Sequence, residues 1–199
     1  MKIALFGGTF NPPHIGHIRL ANAVVEELAP DKLILMPAGI PPHKVLPAGS
    51  ATSEERYEMT LLMARDIPGA EVSRLELERE GASYTSDTLR ALKAEYPACD
   101  LILTVGGDMF LTLDRWHESE VIFSLASVAA APRDFDEREE MLLCAGRYQE
   151  NFGARVTILQ NPVVEISSSE IREAIRKGDA PRLLSGDVAD YIRKKGLYR

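Results

Sequence analysis

The sequence predicts an α/β fold: an open parallel sheet with helices on both faces. Two observations carry this. Short runs that are apolar throughout recur along the chain, at residues 2–6, 32–36, 101–105, 127–131 and 155–159. Segments with apolar residues at helical spacing lie between them. A strand apolar on both sides is buried on both sides, and its alternation with helices is the pattern of parallel sheets.

The elements follow in order. The first strand, 2–6, stops at Gly7-Gly8. Leu20, Ala21, Val24, Val25 and Leu28 then repeat at helical spacing, which predicts a helix over 16–29. The strand 32–36 completes a β-loop-α-β unit. Glycines and prolines make 38–51 a loop. Thr52-Ser53-Glu54-Glu55 has the form of a capping box and opens a helix to about residue 66. Residues 72–77 read as strand and 85–96 as helix. The strand 101–105 ends at Gly106-Gly107, and 106–116 reads as a loop. A surface helix is expected over 135–149 and a last strand over 155–159. A second capping box, Ser167-Ser168-Ser169-Glu170, opens a helix over 167–177, and the final helix covers 187–195. Such a Rossmann-like sheet takes its ligands beyond the carboxyl ends of the strands. The loops 7–17, 38–51 and 106–116 and the start of the 167 helix are therefore expected to face one crevice.

Composition narrows the function. A chain of 199 residues with 45% hydrophobic and 27% charged residues fits one domain, 1–199, and argues against disorder. Its apolar runs are too short to span a bilayer, and the first residues meet glycine too soon for a secretory core. Cys99 and Cys144 stand far apart without a C-x-x-C, which reads as two reduced, structural thiols in a cytoplasmic protein. The formal net charge of −7 speaks against general nucleic-acid binding, and no membrane partner is expected. An anionic ligand would have to meet a local cluster of donors. Homo-oligomerisation is left open.

One stretch supplies such a cluster. "GGTFNPPHIGH", from Gly7 to His17, sits between the first strand and the first helix. Gly7 and Gly8 let backbone N–H groups approach a ligand closely. A helix start adds free N–H groups and a positive dipole end, which suits phosphate. His14 and His17 are three apart, so both can lie on one face and point at one anion. Two of the four histidines in this loop is not what turn formation alone requires. The stretch is neither a Walker loop nor G-x-G-x-x-G. Zinc is a weaker reading, since no further His or Cys cluster completes a ligand set. Ser168 and Arg172, four apart on the 167 helix, offer further donors to a polyphosphate.

"GGTFNPPHIGH" together with "ISSSEIR" (166–172) resembles the two-part signature of the HxGH nucleotidyltransferases, whose HxGH part is shared with class I aminoacyl-tRNA synthetases. "PPHK" (41–44), "SYTSDTL" (83–89), "GGDMF" (106–110), Trp116 and the terminal "GLYR" (196–199) resemble, in that order, the nicotinate-nucleotide adenylyltransferases. The resemblance implies transfer of AMP from ATP to nicotinate mononucleotide, giving deamido-NAD and pyrophosphate in NAD biosynthesis, with Mg²⁺ bound mainly through the ATP phosphates. It implies a nucleotidyltransferase-type fold in which residues 167–199 complete the ATP site. Its catalytic residues would be His14, His17 and Arg172. Gly7, Gly8, Thr9, Phe10, Gly106, Asp108, Ser168 and Ser169 would bind ATP. Asn11, Lys44, Thr85, Trp116 and His117 would bind the acceptor, with no metal ligands from the chain. Many members carry Arg-Pro-Gly where this chain has Ala131-Pro132-Arg133-Asp134, so Arg133 is held outside that set. Phosphopantetheine or nicotinamide-mononucleotide adenylyltransferase, a tRNA-binding relative and a nucleotide sensor are the alternatives. The first lacks the SYT and GLYR segments, the tRNA reading lacks KMSKS, and the intact histidines and Arg172 disfavour the sensor.

Overall fold

The computed structural model describes residues 1–42, 45–132, 135–160, 166–179 and 182–199. In chain order these form β1 (Lys2–Gly8), α1 (Ile15–Leu28), β2 (Lys32–Pro37), α2 (Ser53–Ala64), β3 (Ala70–Val72), α3 (Leu75–Glu78) and α4 (Thr85–Glu95). There follow β4 (Asp100–Gly106), α5 (Gly107–Phe110), a 3₁₀ turn (Leu113–Arg115), α6 (Ser119–Leu125) and β5 (Ala126–Ala131). The chain ends with α7 (Phe135–Phe152), β6 (Val156–Ile158), α8 (Ser168–Arg176) and α9 (Gly186–Lys195).

The strands make one six-stranded sheet in the order β3-β2-β1-β4-β5-β6, and every pair is parallel. Alternate residues of β1 enter opposite cores. Ile3 and Leu5 pack with Leu101 and Leu103 of β4, Leu89 of α4, Ile122 of α6 and Met141 of α7. Ala4 and Phe6 pack with Leu35 of β2, Val24 of α1, Met59 of α2, Ile171 of α8 and Ile192 of α9. Both faces are thus covered, as the continuous apolar runs require. Among the described residues, no helix is long and apolar enough to cross a membrane.

Both expected capping boxes form. Thr52 Oγ1 accepts from Glu55 N–H at 3.2 Å, and the Glu55 carboxylate accepts from Thr52 N–H at 2.8 Å. Ser167 and Glu170 repeat the exchange at 3.2 and 3.0 Å.

Three expectations need correction. The strand expected over 72–77 is β3 at 70–72 followed by the helical turn α3. Pairing with β2 ends when Ser73 N–H donates to Leu35 O, and Leu75 and Leu77 then alternate without a partner strand. The span 106–116 is not a plain loop, because α5 and the 3₁₀ turn occupy most of it. Helix α6 was not expected at all. At seven residues it is too short for a periodic signal.

β1 lies at the centre, between β2 and β4. Gly8 pairs with Pro37, and Phe6 pairs with Thr104, so the chain leaves these strands at a common end. Gly7 is exposed there despite its central strand, and a β-carbon on it would meet nothing within 4 Å. This is the open crevice. Beside it, Gly39 lies so close to α3 that a β-carbon would stand 2.3 Å from the backbone carbonyl of Glu76. A backbone atom cannot turn aside as a side chain can. Gly39→Ala should therefore cost about 1–3 kcal/mol, read as a lower urea midpoint. An unchanged midpoint would mean that α3 yields freely.

Candidate active site

The Gly7–His17 loop is shaped by its own aromatic residues. Phe10 has φ of 49°, a left-handed conformation that costs a bulky residue energy. Its ring is buried, meets Phe6 edge-on at 5.6 Å, and meets His17 at 5.0 Å. A β-carbon on Gly8 would stand 2.8 Å from that ring. Phe10 thus supports His17 from below, and only its backbone can face a ligand.

His14 caps α1 with extended backbone angles. The imidazoles of His14 and His17 stack with centroids 3.7 Å apart, as their three-residue spacing allows. His14 N–H donates to Nδ1 of His17 at 3.1 Å. That bond fixes the tautomer of His17, leaving Nε2 to carry its proton when the ring is neutral. His14 is 7% exposed, and its Nδ1 is buried without a hydrogen-bond partner. Burial pushes its pKa down to about 4, so in the free protein it is neutral.

Helix α8 brings the second half of the signature against the first. Arg172 Nη1 donates to Asn11 O at 2.7 Å, and Nη2 donates to Ser169 Oγ at 3.0 Å. Ser168 Oγ donates to Pro12 O at 2.9 Å. His14, His17, Ser168, Ser169 and Arg172 are therefore gathered on one loop. Asn11 is only 3% exposed. Its Oδ1 accepts from the Tyr198 hydroxyl at 2.8 Å and from Ala51 N–H at 3.3 Å, and its Nδ2 donates to Ser50 Oγ at 2.9 Å. Most of its hydrogen-bonding capacity is spent inside the protein.

Across the crevice, Gly106 ends β4 and Asp108 is exposed in the first turn of α5. Asp108 Oδ1 accepts from Met109 N–H at 2.9 Å. Thr85 opens α4, and Trp116 ends the 3₁₀ turn, half-buried against the core. The ring of His117 packs on Tyr84 at 4.1 Å, which joins the Thr85 and Trp116 segments. The next residue, Glu118, has φ of 51° and is gripped by both terminal nitrogens of Arg90 at 2.6 and 2.9 Å. That guanidinium holds the Glu118 carboxyl down to about 2. Lys44 and Arg133 lie outside the described residues.

Sequence reasoning missed several residues that hold the site. Arg56 of α2 is 1% exposed. Its Nη1 donates to Thr9 O at 2.9 Å and its Nη2 to Gly39 O at 3.0 Å. Burial lowers its pKa, and the facing Tyr198 opposes that shift. Its signal was available: Arg56 shares a helical stripe with Met59 and Met63, where a cation has no reason to sit unless it has work inside. Tyr198, within GLYR, had no readable partner, because Asn11 is 187 residues away.

Comparison with known proteins identifies the family. The cytidylyltransferase-like family model matches residues 5–174. A probable nicotinate-nucleotide adenylyltransferase of Thermus thermophilus is 40% identical over 200 residues, covering all of both chains. One of Exiguobacterium sibiricum is 38% identical over 199 residues, covering 100% of this chain and 99% of the relative. Among solved structures, the Plasmodium falciparum nicotinic acid mononucleotide adenylyltransferase complexed with NaAD superposes with a TM-score of 0.80. It is 19% identical and covers 99% of this chain and 97% of its own, a likeness of fold. With full-length identity well above what fold alone explains, the chain belongs to the nicotinate-nucleotide adenylyltransferases, within the cytidylyltransferase-like nucleotidyltransferases.

Proposed function

We infer that this chain transfers the AMP moiety of ATP to nicotinate mononucleotide, forming deamido-NAD and releasing pyrophosphate. The observation that carries the reading is the stacked His14–His17 pair at a helix start, on a loop whose Asn11 carbonyl is held by Arg172, beside an open Gly7. A phosphate oxygen of the acceptor attacks the α-phosphorus of ATP. The bond from that phosphorus to the α–β bridging oxygen breaks, and pyrophosphate leaves with the electron pair. The attacking phosphate is ionised at neutral pH, since its second pKa is near 6, so no general base is needed. The task is to place two anions in line and neutralise the charge that develops.

His17 presents Nε2–H to the polyphosphate. His14 is neutral while the site is open, and a bound anion favours its imidazolium form. Arg172 and the Ser168–Ser169 turn serve the β and γ phosphates, with Gly7, Gly8 and the Thr9–Phe10 backbone beside the nucleotide. Gly106 and Asp108 serve the adenosine half. The donor set gathered here suits anions. Mg²⁺ is read as a companion of ATP, ligated mainly by its phosphates and offsetting their charge.

On the acceptor side, Trp116 offers a flat face to the pyridinium ring. Thr85 and the backbone N–H groups near it, with that of His117, would hold the carboxylate. An amide would turn its NH₂ toward those donors, which selects the acid. Lys44 is assigned to the acceptor phosphate. Asn11 acts by fixing the loop on which both substrates rest. A cytoplasmic setting is part of this reading, and both cysteines are buried in the core.

The deciding assay is pyrophosphate release from ATP and Mg²⁺ with nicotinate mononucleotide, nicotinamide mononucleotide or phosphopantetheine. Strong preference for the first is expected. Preference for another acceptor would sink the roles of Thr85 and Trp116. His17→Ala should lower kcat about 10²–10³-fold with the fold intact, whereas full activity would remove His17 from the mechanism. Trp116→Ala should raise KM for the acceptor far more than for ATP; equal effects would make it a packing residue.

The lowered pKa of His14 has a sign for stability. The unfolded chain takes up a proton below about pH 6.5, and the folded one does so only below about 4. The His14 contribution to stability should fall over that window, by at most about 3 kcal/mol. The buried Glu76, pushed up to about 7, acts in the opposite sense over the same range, so the readout is the difference between wild type and His14→Gln. Urea midpoints measured from pH 7 to 4 should show wild type losing stability relative to His14→Gln, and a difference independent of pH would overturn the assignment to His14.

A further inference from the structure

Trp116 is given the pyridine ring, yet it stands at the end of a very short element, the 3₁₀ turn. Its backbone bonds are local. Trp116 N–H donates to Leu113 O at 3.1 Å and Arg115 N–H to Thr112 O at 3.0 Å, while in α5 Leu111 N–H donates to Gly107 O at 3.0 Å. None of these three joins α5 to the 3₁₀ turn. Two helical ends therefore meet between Phe110 and Asp114, and such ends leave a carbonyl and an N–H without an intrahelical partner.

Tyr148 of α7 serves both with one oxygen. Its hydroxyl donates to Phe110 O at 2.8 Å. With its proton spent there, it accepts from Asp114 N–H at a longer 3.4 Å. Asp114 Oδ1, also at 3.4 Å, is the weaker second acceptor for the same proton. Tyr148 is 1% exposed, so bulk water does not compete for these bonds. The ring is set by α7, where Met141, Cys144 and Tyr148 share the buried stripe, and it packs edge-on against Phe110 at 5.3 Å.

The two ends joined by this hydroxyl are not equally anchored. α5 leaves the sheet directly at Gly106, the last residue of β4, and Asp108 lies in its first turn. The 3₁₀ turn lies one element further out. The hydroxyl therefore steadies the turn against α5, and what it steadies is Trp116, two residues after Asp114. From the opposite side, Ser119 Oγ donates to Asp114 O at 3.0 Å, and Ser119 N–H donates to Trp116 O at 3.2 Å.

We propose that Tyr148 is a positioning residue for the acceptor: its buried hydroxyl ties the end of α5 to the 3₁₀ turn and so fixes where Trp116 stands. The proposal rests on the reading that Trp116 faces the pyridine ring of nicotinate mononucleotide. A phenylalanine at position 148 fills the same space but leaves Phe110 O and Asp114 N–H without the partner that joins them.

The test is a double-mutant cycle of Tyr148→Phe and Trp116→Ala, with KM for nicotinate mononucleotide and for ATP measured in each protein. Tyr148→Phe alone should raise the acceptor KM about fivefold, with the ATP KM unchanged. Added to Trp116→Ala, it should leave the acceptor KM as it was, because nothing remains to position. Trp116 is the single tryptophan, so quenching of its emission by nicotinate mononucleotide reads the acceptor affinity without turnover, and Tyr148→Phe should shift that midpoint by the same factor. Ser119→Ala frees Asp114 from its carbonyl side and carries the same cycle if Tyr148→Phe does not fold. An unchanged acceptor KM, the same rise in both backgrounds, or equal rises for both substrates would make Tyr148 a packing residue and overturn the proposal. If Trp116→Ala by itself raises both KM values equally, the acceptor reading of Trp116 fails, and the proposal with it.

Discussion

The site depends on how the carbonyls of one loop are satisfied. Between Gly8 and His14 the chain leaves the central strand and forms no regular element, and most of it is buried. Buried backbone groups must find partners. Here the partners are side chains from distant helices: Arg56 for Thr9 O, Arg172 for Asn11 O and Ser168 for Pro12 O. Tyr198 from the chain end and Ala51 from the second loop fix the Asn11 side chain between them. The loop's negative dipole ends are drawn inward and occupied. What it then turns to the crevice is glycine backbone and two imidazoles. A loop held in this way can present anion-binding groups without rearranging, which is what a transferring phosphoryl group requires.

The same tethers answer the electrostatic problem. The chain carries a net charge of −7, yet its substrates are anions. The compensation is local. Arg56 and Arg172 both bond backbone carbonyls of the site loop, which leaves their charge less neutralised than a bond to a carboxylate would. Burial lowers the pKa of each, the sign that this arrangement costs free energy. By contrast, Arg74 meets Glu54 and Arg65 meets Asp187 in direct ion pairs on other faces.

This division explains what could be read in the sequence. Strands β1, β2, β4 and β5 were legible because central strands are apolar on both faces, and α2 and α8 were legible because a capping box is a local code. The His14–His17 pair and Ser168–Arg172 were legible by spacing alone. Leu75 and Leu77 misled because alternation marks a strand only where a partner edge exists, and the β2 pairing ends at Val72. Tyr198 was silent because its meaning is a partner brought near by the fold, and no periodicity records that it meets Asn11. Arg56 offered a charge on an apolar stripe but not the carbonyls it would meet.

On the proposed assignment the two halves of the crevice are built differently. The nucleotide half rests on the central strand and on buried bonds from α2, α8 and the chain end. On the acceptor side Trp116 and His117 lie between the 3₁₀ turn and α6, neither longer than seven residues, and Thr85 opens α4. The outer tie there, Arg90 to Glu118, is solvent-exposed, with side chains 44% and 39% accessible. Such a pair contributes little by itself, even with two-pronged geometry. Yet it holds Glu118 in a left-handed conformation directly after Trp116 and His117. Short helices joined by exposed ties open locally at low free energy. On that assignment the acceptor half is where this fold adjusts to its ligand.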